Sequence, residues 1–167
     1  MIVTIWRHGQ AASGPIDRMR ELTGDGEDDV GFGCHQFHDI CHARGLAHPD
    51  LVLHSPWVRA SQTADIIATA FTHANMKPLP ALQPGSTPRT VDAALAELQA
   101  AAEPAGHVLL VSHQPLVSRL VDHYLGDPGQ VPGLSPGALA CLELEVAARG
   151  CGQLLFWAFP PEYAEQT

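Results

Sequence analysis

Short apolar runs alternate along the chain with segments in which apolar residues recur at helical spacing. Three runs, Ile2–Trp6, Leu51–Leu53 and His107–Val111, are almost continuously apolar, which is typical of strands buried on both faces of a sheet. Two further runs, Ala138–Val146 and Gln153–Phe159, follow each other closely, as in a hairpin at a sheet edge. The pattern predicts an α/β fold with a mostly parallel but mixed sheet.

Four segments between these runs predict helices. Val91, Leu95 and Leu98 follow one face of the third segment at i, i+4 and i+7. Pro115 suits the first helical position of the fourth, where a missing N–H is tolerated. We also expect a very short strand at Leu79, and one domain over residues 1–167. The four predicted helices are Asp25–Arg44, Trp57–Thr72, Arg89–Ala101 and Pro115–Tyr124.

Composition and charge exclude several classes of protein. Lys and Arg number 9 against 18 Asp and Glu, a formal net charge of −9, and no basic run could neutralise a nucleic-acid backbone. No apolar stretch is long enough for a membrane span, and no targeting segment is recognisable, so we expect a cytoplasmic protein. The cysteines follow no metal or disulfide spacing, and we expect reduced thiols.

Ten histidines are a high number, and three of them, His35, His38 and His42, lie on one side of the first predicted helix. One interpretation is a zinc site. However, Cys34 and Cys41 belong to the opposite, apolar face of that helix, and zinc needs ligands that converge from more than one segment. The sequence leaves metal binding by these histidines open, with solvated surface histidines as the favoured interpretation.

The carboxyl ends of the three buried strands carry candidate chemistry. Arg7 and His8 follow the first strand directly, and His113 follows the third. Arg59 falls in the first turn of the helix after the second strand, where the helix N-terminus favours an anion. Ligands of open α/β sheets bind beyond the carboxyl ends of strands. We therefore expect these four side chains to converge.

These motifs resemble the histidine phosphatase, or phosphoglycerate mutase-like, superfamily, and their order and the short chain look most like the SixA-type phosphohistidine phosphatases. The resemblance implies a single-domain three-layer sandwich of the phosphoglycerate mutase-like fold without the large lid insertion. It rests on three separated motifs and on one segment beside the first of them. They are Arg7-His8-Gly9, Ser55-Pro56-Trp57-Val58-Arg59-Ala60-Ser61-Gln62-Thr63, Val111-Ser112-His113, and Arg20-Glu21-Leu22-Thr23.

The resemblance implies that His8 is a nucleophile and that Arg7, Arg59 and a protonated His113 bind the phosphoryl oxygens, with no metal or other cofactor. Arg20 corresponds to a further arginine at the pocket mouth, although pairing with a nearby carboxylate is an equal alternative. Three neighbours of the catalytic residues are additional candidates for substrate binding: Gly9, Ser112 and Gln114.

The substrate prediction depends on the lack of a carboxylic acid that could protonate the leaving group. Relatives that cleave phosphate esters place a carboxylic acid near the leaving oxygen, and here the corresponding segment, Leu79–Gly85, has none. A phosphoramidate nitrogen is basic enough to do without one, which favours phosphohistidine in a protein such as a histidine phosphotransfer domain. The alternatives are a small phosphomonoesterase acting on sugar or nucleotide phosphates, and a non-catalytic module that binds a phosphorylated partner. No membrane partner is expected.

Overall fold

Every apolar run predicted from the sequence forms a strand, and every predicted helix is present. The structure is a computed structural model that describes residues 1–167. Two short 3-10 helices, Asp17–Met19 and Pro80–Leu82, lie in the connections. The main elements are β1 (Ile2–Arg7), α1 (Gly24–Arg44), β2 (Leu51–His54), α2 (Val58–Ala70), β3 (Asn75–Pro78), α3 (Pro88–Gln99), β4 (His107–Ser112), α4 (Leu116–Leu125), β5 (Leu139–Leu144) and β6 (Gly152–Ala158).

One mixed sheet of six strands, in the order β3-β2-β4-β1-β5-β6, organises the molecule. β1, β2, β3 and β4 run parallel, whereas β5 and β6 are antiparallel to their neighbours. Arg7 at the end of β1 is in register with Ser112 at the end of β4, and His54 at the end of β2 pairs with Val111. The carboxyl ends of β1, β2 and β4 therefore meet at one edge.

Apolar cores cover both faces of the sheet, which confirms the three-layer architecture. The core on one face includes Val91 and Leu95 of α3 and Leu120 of α4. The other includes residues of α1 and α2, with Phe37 of α1 packed edge-on against Trp6 of β1 at a ring-centroid distance of 5.6 Å. β2 and β4 are buried along their entire lengths, as their continuous apolarity requires.

The first helix begins and ends as its sequence dictates. Thr23 caps it, with its side-chain oxygen accepting a hydrogen bond from the backbone N–H of Gly26 at 3.0 Å. Gly45 ends it in the left-handed conformation with φ of 65°, which glycine adopts without a steric penalty. Cys34 and Cys41 lie in the core, so the apolar face predicted for this helix is confirmed.

Two local predictions are wrong. The short strand lies at Asn75–Pro78 and ends before Leu79, which caps the 3-10 helix that begins at Pro80. Pro115 is the N-cap of α4 and not its first residue, because its carbonyl accepts the first helical hydrogen bond, from Arg119. The β5 strand is also shorter than its apolar run, and β6 begins and ends one residue before its run.

All four cysteines are free thiols, as the sequence predicts. No helix combines the length and the apolarity that crossing a membrane requires.

Candidate active site

The common edge of β1, β2 and β4 brings the four predicted catalytic side chains together. The rings of His8 and His113 lie with their centroids 5.0 Å apart. Arg59 Nε lies 3.1 Å from His8 Nε2. The three residues are almost enclosed, with exposed fractions of 7% for His8, 5% for Arg59 and 2% for His113. This concentration of buried polar and charged groups is typical of a functional site.

The His8 ring is held with one nitrogen ready to react. Its Nδ1 lies 2.8 Å from the carbonyl oxygen of Gly9, and because a carbonyl only accepts hydrogen bonds, Nδ1 carries the proton. Nε2 is then unprotonated, and its lone pair accepts a hydrogen bond from Arg59 Nε. Burial, followed by the charges of nearby arginines, lowers the pKa of His8 to about 4. The ring is therefore neutral at pH 7, as a nucleophile must be.

Arg59 is fixed by contacts on every side. It is the second residue of α2, and its guanidinium lies over the ring of Trp57, 5.0 Å from the ring centroid. Its Nη1 donates to the backbone carbonyl of Asp17 at 2.8 Å. Thr63, one turn along the helix, donates to the Arg59 carbonyl and accepts from the Gly9 N–H. The loop after β1 and the start of α2 are thus tied together around His8.

His113 contributes an uncharged ring in this structure. Its Nε2 lies 2.7 Å from the hydroxyl oxygen of Ser55, whereas its Nδ1 is buried without a hydrogen-bond partner. Burial, then the proximity of His8 and Arg59, lowers the pKa of His113 to about 3. The positive charges of Arg59 and Arg7 and the dry environment thus oppose a charge on the unliganded ring, whereas a protonated His113 against a phosphoryl group stays a prediction.

Arg7 is anchored through a segment far away in sequence. Its Nη1 donates to the carbonyl of Leu134 at 2.9 Å, and its Nε is buried without a partner. Gln114 donates to the same carbonyl at 2.9 Å and also contacts Ser118. Gln114, a predicted substrate-binding residue, therefore supports the segment that holds Arg7.

Two other predicted substrate-binding residues face protein rather than the pocket. A side chain on Gly9 would lie 2.9 Å from the carbonyl oxygen of Gly26 and from Val30, so glycine here permits close packing against α1. Ser112 is fully buried, and its hydroxyl donates to the carbonyl of Leu82 at 2.6 Å. Direct contact of Gly9 or Ser112 with a ligand stays a prediction.

Arg20 is paired with a carboxylate beside the site, whereas its contact with a substrate stays a prediction. Its Nη1 lies 2.9 Å from Asp17 Oδ1, and its Nε donates to the carbonyl of Ala12 at 2.7 Å. Asp17 Oδ1 is 3.5 Å from Arg59 Nη1 as well. Hydrogen bonding to Arg20 holds the pKa of Asp17 below its usual range, so this carboxylate is ionised at pH 7.

Sequence reasoning missed the supporting residues of the site. Ser55, Trp57 and Thr63 all lie inside the recognised motif around Arg59, but the motif alone gave them no role. Asp17 was one of two carboxylates, with Glu21, that the sequence offered as a partner for Arg20, and the structure selects Asp17; its second contact, with Arg59, was not predicted. Leu134 has no sequence signal, because only its backbone carbonyl is used.

The histidine stripe on α1 does not form a cluster. The ring of His38 lies against that of His48, with centroids 4.4 Å apart, and its Nδ1 is 3.2 Å from Asp39. No group of three or more His, Cys, Asp or Glu side chains is arranged to hold a metal ion. The structure therefore offers no support for zinc ligation by His35, His38 and His42.

Comparison with solved structures finds the same fold in several phosphoryl-handling proteins. The protein histidine phosphatase SixA, solved with tungstate, aligns over 96% of this chain and 97% of its own, with a TM-score of 0.76 and 30% sequence identity. Mycobacterial glucosyl-3-phosphoglycerate phosphatase, solved with VO3, aligns over 95% and 99% with a TM-score of 0.64 and 19% identity. Phosphoglycerate mutase of Plasmodium falciparum aligns over 92% and 87%, with a TM-score of 0.62 and 19% identity. No family model and no curated protein sequence matches the chain.

Proposed function

The chain belongs to the histidine phosphatase superfamily, and from this membership we propose that it removes the phosphoryl group from phosphohistidine in a protein through a covalent intermediate on His8. The observation that carries the proposal is the state of the His8 ring. Its Nδ1–H is committed to the Gly9 carbonyl and its Nε2 lone pair lies beside Arg59. A neutral imidazole held in this way is a good nucleophile toward phosphorus.

The reaction divides into two displacements. His8 Nε2 attacks phosphorus, and the bond from phosphorus to the substrate nitrogen breaks with its electron pair leaving on that nitrogen. Water then attacks the phosphohistidine formed on His8, which releases inorganic phosphate and restores the free ring. Splitting one difficult displacement into two easier ones is the advantage of a covalent intermediate.

Buried nitrogens without protein partners are available for the transferring phosphoryl group, which spreads negative charge over its equatorial oxygens. Arg7 Nε and His113 Nδ1 are buried without protein partners, and leaving such atoms unpaired costs free energy that an oxyanion could offset. Arg59 supplies a second guanidinium beside His8. A bound dianion would also raise the pKa of His113, so we assign its protonated form to the loaded site. These groups need no metal ion to neutralise the charge.

The nature of the nearby carboxylates supports phosphohistidine over an ester. Asp17, the carboxylate that contacts Arg59, is held ionised by arginine and cannot donate a proton. Asp92, the next candidate, pairs with His123 at 2.9 Å. An alkoxide leaving group requires a general acid, whereas a phosphoramidate nitrogen is basic enough to take its proton from solvent. We therefore expect a phosphorylated protein, such as a histidine phosphotransfer domain, as the partner.

A substrate panel with matched histidine variants tests the proposal. The panel contains a phosphorylated histidine phosphotransfer protein, a sugar phosphate and a nucleotide phosphate. His8→Asn keeps a donor near the Nδ1 position and removes Nε2. His54 is the matched control, because it also ends a strand, is buried, and has Nδ1 2.9 Å from the carbonyl of the next residue, Ser55.

We expect the phosphoprotein to turn over fastest and an alkali-stable, acid-labile phosphoryl label to appear on the wild-type chain. His8→Asn should lose the label and at least about a thousandfold in kcat/KM, whereas His54→Asn should keep both. Turnover that survives His8→Asn would refute the covalent mechanism. Faster turnover of the sugar or nucleotide phosphate would instead assign the chain as a phosphomonoesterase.

A further inference from the structure

Asp17 places a negative charge at the outer side of the phosphoryl pocket. It begins the short 3-10 helix Asp17–Met19, and its side chain is 57% exposed. Its Oδ1 lies 2.9 Å from Arg20 Nη1 and 3.5 Å from Arg59 Nη1, and its backbone carbonyl accepts from the same Arg59 nitrogen. The carboxylate therefore shares both arginines with any anion that enters the site.

The Arg59 guanidinium lies between the nucleophile His8 and the carboxylate of Asp17. Its Nε faces His8 Nε2 at 3.1 Å, and its Nη1 faces Asp17. The nucleophile and the carboxylate thus contact different nitrogens of one planar group, with His8 on the buried side and Asp17 on the exposed side. In an in-line displacement the leaving group departs away from the nucleophile. Because His8 lies on the buried side, the leaving group must depart toward the exposed side of the pocket, where Asp17 lies.

We infer that Asp17 is a specificity-determining residue that disfavours substrates carrying a second negative charge next to the phosphoryl group and favours a neutral or cationic leaving group. The inference rests on the proposed function and extends it by naming the charge class of the leaving group. Coulomb repulsion between an exposed carboxylate and a second anion a few ångströms away corresponds to about a 3- to 10-fold change in affinity. An imidazole leaving group carries no second negative charge, so Asp17 does not repel it.

A purely structural role for Asp17 predicts a different result. If the carboxylate only positioned Arg20 and Arg59, its loss would weaken the binding of every phosphorylated ligand alike. If it discriminates by charge, its loss must affect ligands according to the charge beside their phosphate. Three ligands of similar size separate these cases: ethyl phosphate is neutral beyond the phosphate, phosphoglycolate carries a carboxylate, and phosphoethanolamine carries an ammonium group.

Calorimetry with these ligands tests the inference independently of turnover. The variants are Asp17→Asn, which keeps the shape and removes the charge, and Asp127→Asn, which removes an exposed charge beyond the C-terminus of α4. Relative to ethyl phosphate, we expect Asp17→Asn to tighten phosphoglycolate about 3- to 10-fold and to weaken phosphoethanolamine by a similar factor. Asp127→Asn should behave as the wild type.

The outcomes separate this inference from the proposed function. Equal changes for all three ligands in Asp17→Asn, or the same pattern in Asp127→Asn, would overturn the specificity role and leave the proposed function standing. A wild-type protein that binds none of the three would overturn both, because the phosphoryl site itself would be absent.

Discussion

The protonation of His8 gives a sharp test of how the site is built. The ordinary pKa of a histidine is 6.5, and burial beside arginines lowers that of His8 to about 4. Lowering the solution pH from 7 to 5 would therefore protonate an ordinary histidine and leave His8 neutral. Because only the neutral ring is a nucleophile, the test bears directly on the mechanism.

The size of the effect follows from the two pKa values. At pH 5 a group with a pKa of about 4 is roughly 90% neutral, whereas a group with a pKa of 6.5 is only about 3% neutral. The concentration of the nucleophile thus differs by about thirtyfold between the two cases at this pH. Such a difference is well outside the error of a titration.

Nuclear magnetic resonance measures the protonation directly. The ring Cε1–H signal of His8, assigned by its loss in His8→Asn, should keep the chemical shift of the neutral form from pH 8 down to about pH 5. Free histidine in the same buffers gives the reference titration. A midpoint between pH 6 and 7 for His8 would refute the argument that burial and the arginines control this ring.

The same shift makes a prediction about stability. The pKa of His8 is lower in the folded state than in the unfolded state, so between pH 6.5 and pH 4 the unfolded chain binds more protons and stability falls as pH falls. From pH 7 to pH 5 the free energy of unfolding should drop by about 2 kcal/mol through His8 alone. Denaturant unfolding of His8→Asn should show a correspondingly smaller drop than that of the wild type. Equal drops in the two proteins would contradict the linkage.

Four further outcomes are expected. Arg59→Ala should reduce kcat/KM by about a hundredfold or more, because it removes a fixed donor beside the reacting atom. Ser55→Ala leaves His113 Nε2 without its partner and should cost about tenfold in the same assay. Gly26→Ala would place a methyl group 2.3 Å from the backbone oxygen of Gln10, and should lower the free energy of unfolding by about 1–3 kcal/mol in a denaturant titration. Addition of EDTA to the turnover assay should change nothing.

Matched variants control for these effects. Arg149 is exposed in the turn between β5 and β6, and Arg149→Ala should leave kcat/KM unchanged. Ser61 lies on α2, and the side-chain hydrogen bond of His113 is with Ser55 and not with Ser61, so Ser61→Ala should leave kcat/KM unchanged. Gly31 of α1 faces open space, and alanine there should be neutral or stabilising. Wild-type turnover in Arg59→Ala or Ser55→Ala would contradict the roles of these residues at the site. Wild-type stability in Gly26→Ala would contradict the close packing of Gly26 against Gln10. Strong inhibition by EDTA would contradict a metal-independent reaction.

The sequence predicts the parts of the molecule that depend on periodicity and on strand ends. Continuous apolarity identifies β1, β2 and β4 as buried parallel strands, and their shared edge then brings His8, Arg59 and His113 together. This is possible because neighbouring parallel strands place their carboxyl ends at the same edge of the sheet. Placement of the four catalytic candidates therefore follows from local sequence and one topological rule.

Other features have no local signal. The Leu134 carbonyl anchors Arg7 across 127 residues of sequence, and a backbone oxygen gives no pattern to recognise. The pKa of His113 depends on burial and on neighbours from other elements, which residue type alone does not reveal. Whether Pro115 is the N-cap or the first residue of α4 depends on which carbonyl accepts the first helical hydrogen bond. Sequence patterns place helix ends only to within one or two residues.

The site is assembled from the ends of three strands and from a segment near Leu134, and no single element contains it. An anion bound there therefore has little affinity for any partly unfolded form, and its binding free energy adds to the stability of the whole sheet. By mass action, a ligand at 100 times its dissociation constant would contribute about 2.7 kcal/mol. A rise in melting temperature can consequently rank phosphorylated compounds and proteins by occupancy of the pocket, including those that are never turned over.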